Sequence, residues 1–522
     1  MAILQLSRIT HRKGLSENLP QLAGAEFGWV LDERKLYIGN GTIEDGAPVI
    51  GNTEILTEFS DILALASSYT YKGEAGGYVV VTGEAGEAIV RSLQSKFDDF
   101  ASVKDFGAVG DGDTDDTDAI NRALYELFCR VDNYSMRRSL YFPAGIYKIT
   151  GPIFIPPHAK LFGEGLTSSI IKFSLPLITA PNIQTGVEYV IQTTGTTDFT
   201  LIGAVDSNPG TVFTATGPGT GTGTVKEVAA SYVAVSADSK QQTGANLGND
   251  GATLPTGIEM TSMALYSDED NTLLKLDSCT NSGFHYVGLH GPNINPLVIG
   301  NETSAIEIAA SVSPTHDITL SKLDTHGTTY CLKAEGEVKG VVLENSGIDF
   351  HYKGVYVVGE DPTTAVSIVT GQTYKIVDPV DTDFTLIGAA NNNVGTVFVA
   401  TGAGTGTGTA INLDIPSPTG IVVSRNIFDN IAQHGIHFGH VLFNSSAFNV
   451  FYNVGNNLSS GPSVPVTPVV QIDTDQCASI GDLFERADEA IQPRIALLGN
   501  GGISIDSTHS IHSHHLFRMG EI

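Results

Sequence analysis

An all-β solenoid is the fold class this sequence predicts. Three observations point to it: strand-like segments that recur about 23 residues apart, a glycine-rich and charge-poor composition, and a long internal copy of the kind a stacked scaffold tolerates. The chain has 522 residues, of which 58 are glycine and only 16% are charged. That length exceeds one ordinary globular core, whereas a solenoid lengthens by adding coils that contact only their neighbours. Against 28 Lys+Arg stand 57 Asp+Glu, a net charge of −29. Such a surface repels phosphate backbones and anionic membranes, so nucleic acid is excluded as a partner, while a local basic groove for a polyanionic glycan stays open. No run of about 18 apolar residues occurs, and the opening MAILQLSRITHRKG lacks the apolar core of a signal peptide. The expectation is a soluble chain made in the cytoplasm, without membrane insertion. Cys129, Cys279, Cys331 and Cys477 lie far apart with no CxxC spacing, which reads as free thiols.

The period is visible in ITLSKLD from Ile318, VVLENSG from Val341 and VVSRNIF from Val422. The first two are 23 residues apart; the third follows after 81, about two coils plus an insertion of some forty residues. Gly257, Gly283, Gly327, Gly354, Gly420 and Gly435 then fall near strand starts or corners. Pairs such as Val355 with Val357 and Ile421 with Val423 face inward at strand period. This register aligns Asn345 with Asn426, as corner asparagines stacked in a ladder.

The insertion is one of two copies. Residues 186–224 and 371–409 align at a constant offset of 185 with 25 identities in 39 positions, including TDFTLIGA, GTVF and the GTGTGT tails. Each reads as a small β module with a core of Phe199, Ile202 and Phe213, matched by Phe384, Ile387 and Phe398, inserted at a loop corner of the solenoid. A carbohydrate or capsid contact and plain surface decoration are both compatible with it.

The solenoid begins at VKDFGAVGDGDTDDTDAINRAL, from Val103 to Leu124. A strand-like segment and a Gly/Asp-rich turn lead into a helix whose apolar positions are Ala119, Ile120, Ala123, Leu124 and Leu127. Asp115, Asp116 and Asp118 crowd the first turn, where carboxylates meet unpaired backbone N–H groups, with Thr117 or Asp116 available as N-cap. A calcium loop fits Asp111, Asp113 and Asp115 but fails at its sixth position, Asp116, and its twelfth, Arg122. After a spacer, SLYFPAGIYKIT reads as a strand broken by one corner at Pro143 to Gly145. Together these segments resemble the start of a pectate-lyase-like parallel β-helix. The resemblance implies a right-handed solenoid over residues 101–484, with the short helix capping its open end.

At the N-terminus, Glu26, Gly28, Asp32, Lys35, Leu36, Gly39 and Gly41 fill the pattern GE(x)G…D…KLYIGDG, with Asn40 where Asp is usual. In themselves the residues DERKLYIGNG form a β-hairpin turning at Asp32 to Arg34. The pattern resembles the N-terminal domain of phage tail fibres, tailspikes and tropism determinants. It implies a virion-attachment domain over residues 1–53, docking to baseplate, tail or neck proteins. Residues 54–100 then read as a helix, a small β segment and a second helix, either the neck of a homotrimer or a linker.

A glycan-cleaving site needs two carboxylates about 5 to 10 Å apart, and coils stacked about 4.8 Å apart can supply them. The 23-residue period lays His326 over Asp349, beside Asp324, Glu344 and His351. Asp349 and Glu344 are the candidate acid/base pair, and His326 or His351 the orienting or proton-transfer groups; ordinary exposed polar residues are the alternative. Asp429, His434 and His437 form a weaker cluster. Residues 485–522 form a C-terminal β segment in which His512 and His514 point the same way. On a trimer axis six imidazoles would suit a transition metal, although no cofactor is required and a histidine-rich tail is the alternative. The sequence therefore predicts a virion tail appendage that recognises a host surface polysaccharide. A polysaccharide hydrolase or lyase and a purely structural virion part are the rival readings, with enzymatic activity left open.

Overall fold

The computed structural model describes residues 12–45, 50–57, 96–129, 139–228, 232–238, 254–292, 303–359, 362–439, 441, 443–452, 454 and 482. It also describes the strands Val470–Asp473, Ala478–Ile480, Leu483–Arg486, Ile503–Ile505, Ile511–Ser513 and Leu516–Met519. The chain divides into two compact units, residues 1–100 and 101–522.

The first unit holds a four-stranded sheet of Arg12–Gly14, Phe27–Val30, Lys35–Gly39 and Asn52–Ile55. Phe27–Val30 and Lys35–Gly39 form the antiparallel hairpin, and Asp32 in its turn accepts from the Ser16 amide at 2.9 Å and from Ser16 Oγ at 2.6 Å. The glycine pattern has a steric cause. A Cβ at Gly39 would lie 2.2 Å from the Ala23 carbonyl oxygen, and one at Gly28 would lie 3.0 Å from Leu22 Cδ1. Glu26 pairs with Arg12 at 2.6 Å and accepts from the Ala23 amide at 2.9 Å, so it ties the edge strand to the loop. Residues 58–95, where the sequence predicts the neck, lie outside the described residues.

The second unit is a parallel β-helix with three strand faces. One central coil runs Thr315–Ser321, Asp324–His326 and Tyr330–Ala334; the next runs Val338–Glu344, Gly347–Asp349 and Lys353–Val358. Each strand pairs in parallel with its counterpart 23 residues on: Ile318 with Val341, His326 with Asp349, Leu332 with Val355. Inward residues stack into columns, such as Leu320–Leu343–Val423 and Ile348–Phe428–Phe451, in one continuous apolar interior.

In six successive coils the first and second faces meet at a single left-handed residue. Ser262, Tyr286, Lys322, Asn345, Arg425 and Phe448 have φ between 54° and 56°. That conformation costs a non-glycine residue about 1 kcal/mol or more. A repeated hydrogen bond offsets the cost, because the corner amide donates to the next coil: Lys322 to Glu344, Asn345 to Ser424, Arg425 to Ala447. The register here corrects the expected asparagine ladder. Val342 pairs with Val422, so Asn345 aligns with Arg425 as a corner residue. The ladder is instead Asn426–Asn449–Asp482, all buried, in which Asn449 Oδ1 accepts from the Asn426 amide and Asp482 Oδ1 from the Asn449 amide.

The helix Thr117–Leu124 buries Ala119, Ile120, Ala123 and Leu124 against the first coil, whose strands Leu140–Phe142 and Gly145–Ile149 flank Pro143. Asp116 occupies the N-cap position but does not cap. Its carboxylate turns back to accept from the amides of Val109 and Gly110 at 2.7 and 3.0 Å.

The two copies form separate antiparallel sheets, from Ile178 to Glu227 and from Thr363 to Asn412, each with its own core. Ala180, Ile183, Tyr189, Phe199, Ile202 and Phe213 have their matches at Ala365, Ile368, Tyr374, Phe384, Ile387 and Phe398. The structural repeat thus starts about eight residues before the recognisable sequence copy. The first module leaves the solenoid between the second and third faces, the second between the third and first. Parallel pairing continues beyond Phe484, with Leu483 on Leu516 and Phe484 on Phe517. Among the described residues no helix is long and apolar enough to cross a membrane.

Candidate functional site

Alternation fixes what the second face shows to solvent. Thr325, Ile348, Phe428 and Phe451 point inward, so their successors His326, Asp349, Asp429 and Tyr452 point outward. Coil by coil the outward column runs Lys172, Tyr266, His290, His326, Asp349, Asp429, Tyr452. Its centre is a ring stack: the centroids of Tyr266 and His290 are 4.5 Å apart, and those of His290 and His326 4.0 Å. A glycine two residues earlier makes room for the middle ring, since a Cβ at Gly288 would lie 3.3 Å from His290 Nε2.

Three of the five expected site residues meet here. Asp324 sits beside the stack, its Oδ2 3.4 Å from His290 Nε2, an ion-pair distance without the alignment of a hydrogen bond. The His290 contact holds the Asp324 carboxyl below its ordinary value in spite of burial. Burial, with His290 second, pushes His326 down. Burial raises Asp349, the Asp429 charge raises it further, and Asn430 Nδ2 donates to its Oδ1 at 3.2 Å. Asp429 is raised by burial as well.

The other two are placed elsewhere. Glu344 ends a first-face strand, across the Asn345 corner from Asp349, and faces Arg425 Nη1 at 3.4 Å. The carboxylate stacked on Asp349 is Asp429. His351 is 0% exposed and lies inside the solenoid. Its Nε2 is 3.1 Å from Thr325 Oγ1 and its Nδ1 3.0 Å from Thr328 Oγ1, and burial pushes its pKa down to about 4. It cannot meet a glycan. Asp429, His434 and His437 do not cluster either: Asp429 is on the second face, while the rings of His434 and His437 pack 5.1 Å apart on the third.

Sequence reading missed His290, whose signal is the Gly-x-His spacing that occurs twice in GFHYVGLH, from Gly283 to His290. It also missed a second ring patch on the third face, where Lys353 Nζ lies 4.3 Å from the Tyr356 centroid and 5.1 Å from that of Tyr330. Among the described residues no group of three or more His, Cys, Asp or Glu is placed to hold a metal. Only the backbone of His512 is described, and His514 lies outside the described residues.

The outward edges of the ring stack offer a C–H surface to a sugar, and carboxylates accept from its hydroxyls. Two carboxylates on adjacent coils, both biased toward the protonated form, can also act as acid and base.

Residues 100–356 match the family described as rhamnogalacturonase A/epimerase, pectate lyase-like. The chain is 38% identical over 65 residues to a glucan 1,3-beta-glucosidase of Cochliobolus carbonum, which is 12% of this chain and 8% of that protein. It is 32% identical over 108 residues to the pre-neck appendage protein of Bacillus phage B103, 20% of this chain and 11% of that one. The chain thus spans about a tenth of the length of these curated relatives. Among solved structures, tailspike protein 3 of bacteriophage CBA120 superposes with TM-score 0.36 and 11% identity, over 94% of this chain and 73% of the other. The ORF18 protein of Geobacillus virus E2 gives 0.34 and 13%, over 99% and 75%. With its parallel coils and the family match over residues 100–356, this part of the chain is a pectate-lyase-like β-helix domain.

Proposed function

We propose that the protein is a phage tail appendage, a tail fibre or tailspike, that binds a host cell-surface glycan along the column from Tyr266 to Tyr452. The observation that carries this reading is the column itself. Six outward side chains on successive coils form a track of about 24 Å, in which three stacked rings are followed by two carboxylates and a final tyrosine. The likeness of 108 residues to a phage pre-neck appendage protein supports a place on the virion. Residues 1–53 are the attachment domain in this reading, and residues 54–100 the neck of a homotrimer. Exposed Phe443, Phe448 and Ile427, at 62%, 60% and 51%, give the C-terminal coils an apolar surface suited to a second copy.

The second reading, a depolymerase, is favoured by Asp349 and Asp429. They share one outward position on adjacent coils, and both carboxyls are raised. Incubation with host polysaccharide, followed by size-exclusion chromatography and by co-elution of protein with glycan, separates the readings. Binding without shortening supports an adhesin. Shortening that Asp349→Asn abolishes supports the enzyme, and neither binding nor cleavage leaves a structural virion part.

A further inference from the structure

We infer that Ser321 and His285 form a nucleophile–base pair on the first face that hydrolyses O-acyl esters carried by a glycan. The two residues are partners on neighbouring coils, and Ser321 Oγ lies 2.7 Å from His285 Nδ1. Both are half-buried on the outward side, because Phe284 and Leu320 before them fill the interior. A glycine sets the ring: a Cβ at Gly283 would lie 2.6 Å from His285 Nε2, so only glycine lets the imidazole lie flat on the strand.

Two other serines of the solenoid, Ser346 and Ser282, bind its corners. Ser346 Oγ donates to the Glu344 carbonyl and accepts from the Leu323 amide, and Ser282 Oγ likewise engages Thr280 and Ile258. Ser321 Oγ makes no such backbone bond among the described residues; its partner is the imidazole. The same outward column contains a platform for a sugar ring, the stacked pair Tyr141 and Phe162 with centroids 5.0 Å apart. Phe162 leads through Thr261 to His285 and Ser321 at one residue per coil, a distance of about 14 Å. Lys322, next to Ser321, is exposed and supplies a cation for the oxyanion, its amide being engaged by the Glu344 carbonyl.

In the reaction Ser321 Oγ attacks the acyl carbonyl while His285 Nδ1 takes the hydroxyl proton. The bond from the acyl carbon to the sugar oxygen breaks, and that oxygen receives the proton. Water then attacks the acyl-serine as His285 takes a proton from it and returns one to Ser321 Oγ. The products are a free sugar hydroxyl and a carboxylic acid.

The test uses the full chain with 4-nitrophenyl acetate, a chemically acetylated polysaccharide and a biotinylated fluorophosphonate. We expect phosphonylation mapped to Ser321 by peptide mass spectrometry, with nitrophenol and acetate release above buffer. Ser321→Ala should fall to the buffer rate. His285→Gln, which keeps a hydrogen-bond partner for Ser321 but cannot take its proton, should lose at least tenfold, both variants keeping the wild-type circular dichroism and melting midpoint. Failure of the wild-type chain to hydrolyse either ester, full activity in Ser321→Ala, or phosphonylation confined to another residue overturns the proposal. Glycan binding is scored separately, so loss of this activity leaves the binding reading standing.

Discussion

Asp349 and Asp429 occupy the same outward position on adjacent coils although eighty residues of chain separate them, because the second inserted module leaves and re-enters the solenoid between them. Part of the elevation of Asp349 comes from Asp429 across the coil, behind the larger contribution of burial. Asp429→Asn should therefore lower the Asp349 titration midpoint, seen by carboxyl carbon-13 NMR of aspartate-labelled protein. A carboxyl raised by folding costs stability in its ionised form, so the same variant should melt higher at neutral pH and gain nothing at pH 3. An unchanged Asp349 midpoint would show that the two carboxylates do not sense each other.

His351 gives the opposite pH dependence. Its folded value of about 4 lies below the ordinary value of 6.5. The folded state holds it neutral, so its contribution is complete above pH 6.5 and is lost as pH falls toward 4. The loss is about 3 kcal/mol at most. Melting midpoints taken from pH 7.5 to pH 4 should fall across that window, and His351→Gln should flatten this part of the curve.

Glycan affinity should depend on the ring stack. If the column binds sugar, His326→Ala or Tyr266→Ala should weaken binding roughly five- to tenfold, the equivalent of about 1 kcal/mol of ring contact. Leu201→Ser, on the exposed turn of the first inserted module, should leave it unchanged. Isothermal titration with the host polysaccharide reads both.

The inserted modules should unfold independently of the solenoid, because their cores are separate apolar clusters. Phe199→Ala should cost the first module about 3 to 5 kcal/mol and Phe384→Ala the second. Hydrogen exchange should accelerate in the mutated module, with the coils on either side still protected.

Trp29 is the chain's single tryptophan and lies in the N-terminal sheet, so its fluorescence reports that unit alone. Gly39→Ala forces a methyl group against the Ala23 carbonyl and should destabilise this unit by more than about 2 kcal/mol, moving the Trp29 unfolding midpoint to lower denaturant. The far-ultraviolet circular dichroism transition of the solenoid should stay where it is.

The stacking of His326 on Asp349 was legible because both lie in coils with no insertion, where a plain 23-residue period holds. The repeat spacing alone puts Asn345 opposite Asn426, one residue out of register, because it does not encode the length of the inserted module, and one residue turns a side chain to the other side of a strand. The same uncertainty hid Asp429 as the partner of Asp349. His351 looked like a groove residue from its spacing, but it lies just past the left-handed corner at Phe350, where the chain turns inward.

Residue spacing and turn chemistry are enough to specify the all-β solenoid, its 23-residue period, the hairpin at residues 27–39 and the two modules with their matched cores. These features are local or repetitive, and hydrophobic spacing and turn chemistry encode them directly. The tertiary structure alone decided which side chains share a face. That grouping depends on the register between strands distant in the chain, and on single left-handed corner residues that send Glu344 and Asp349 to different faces while Asp349 and Asp429 come together.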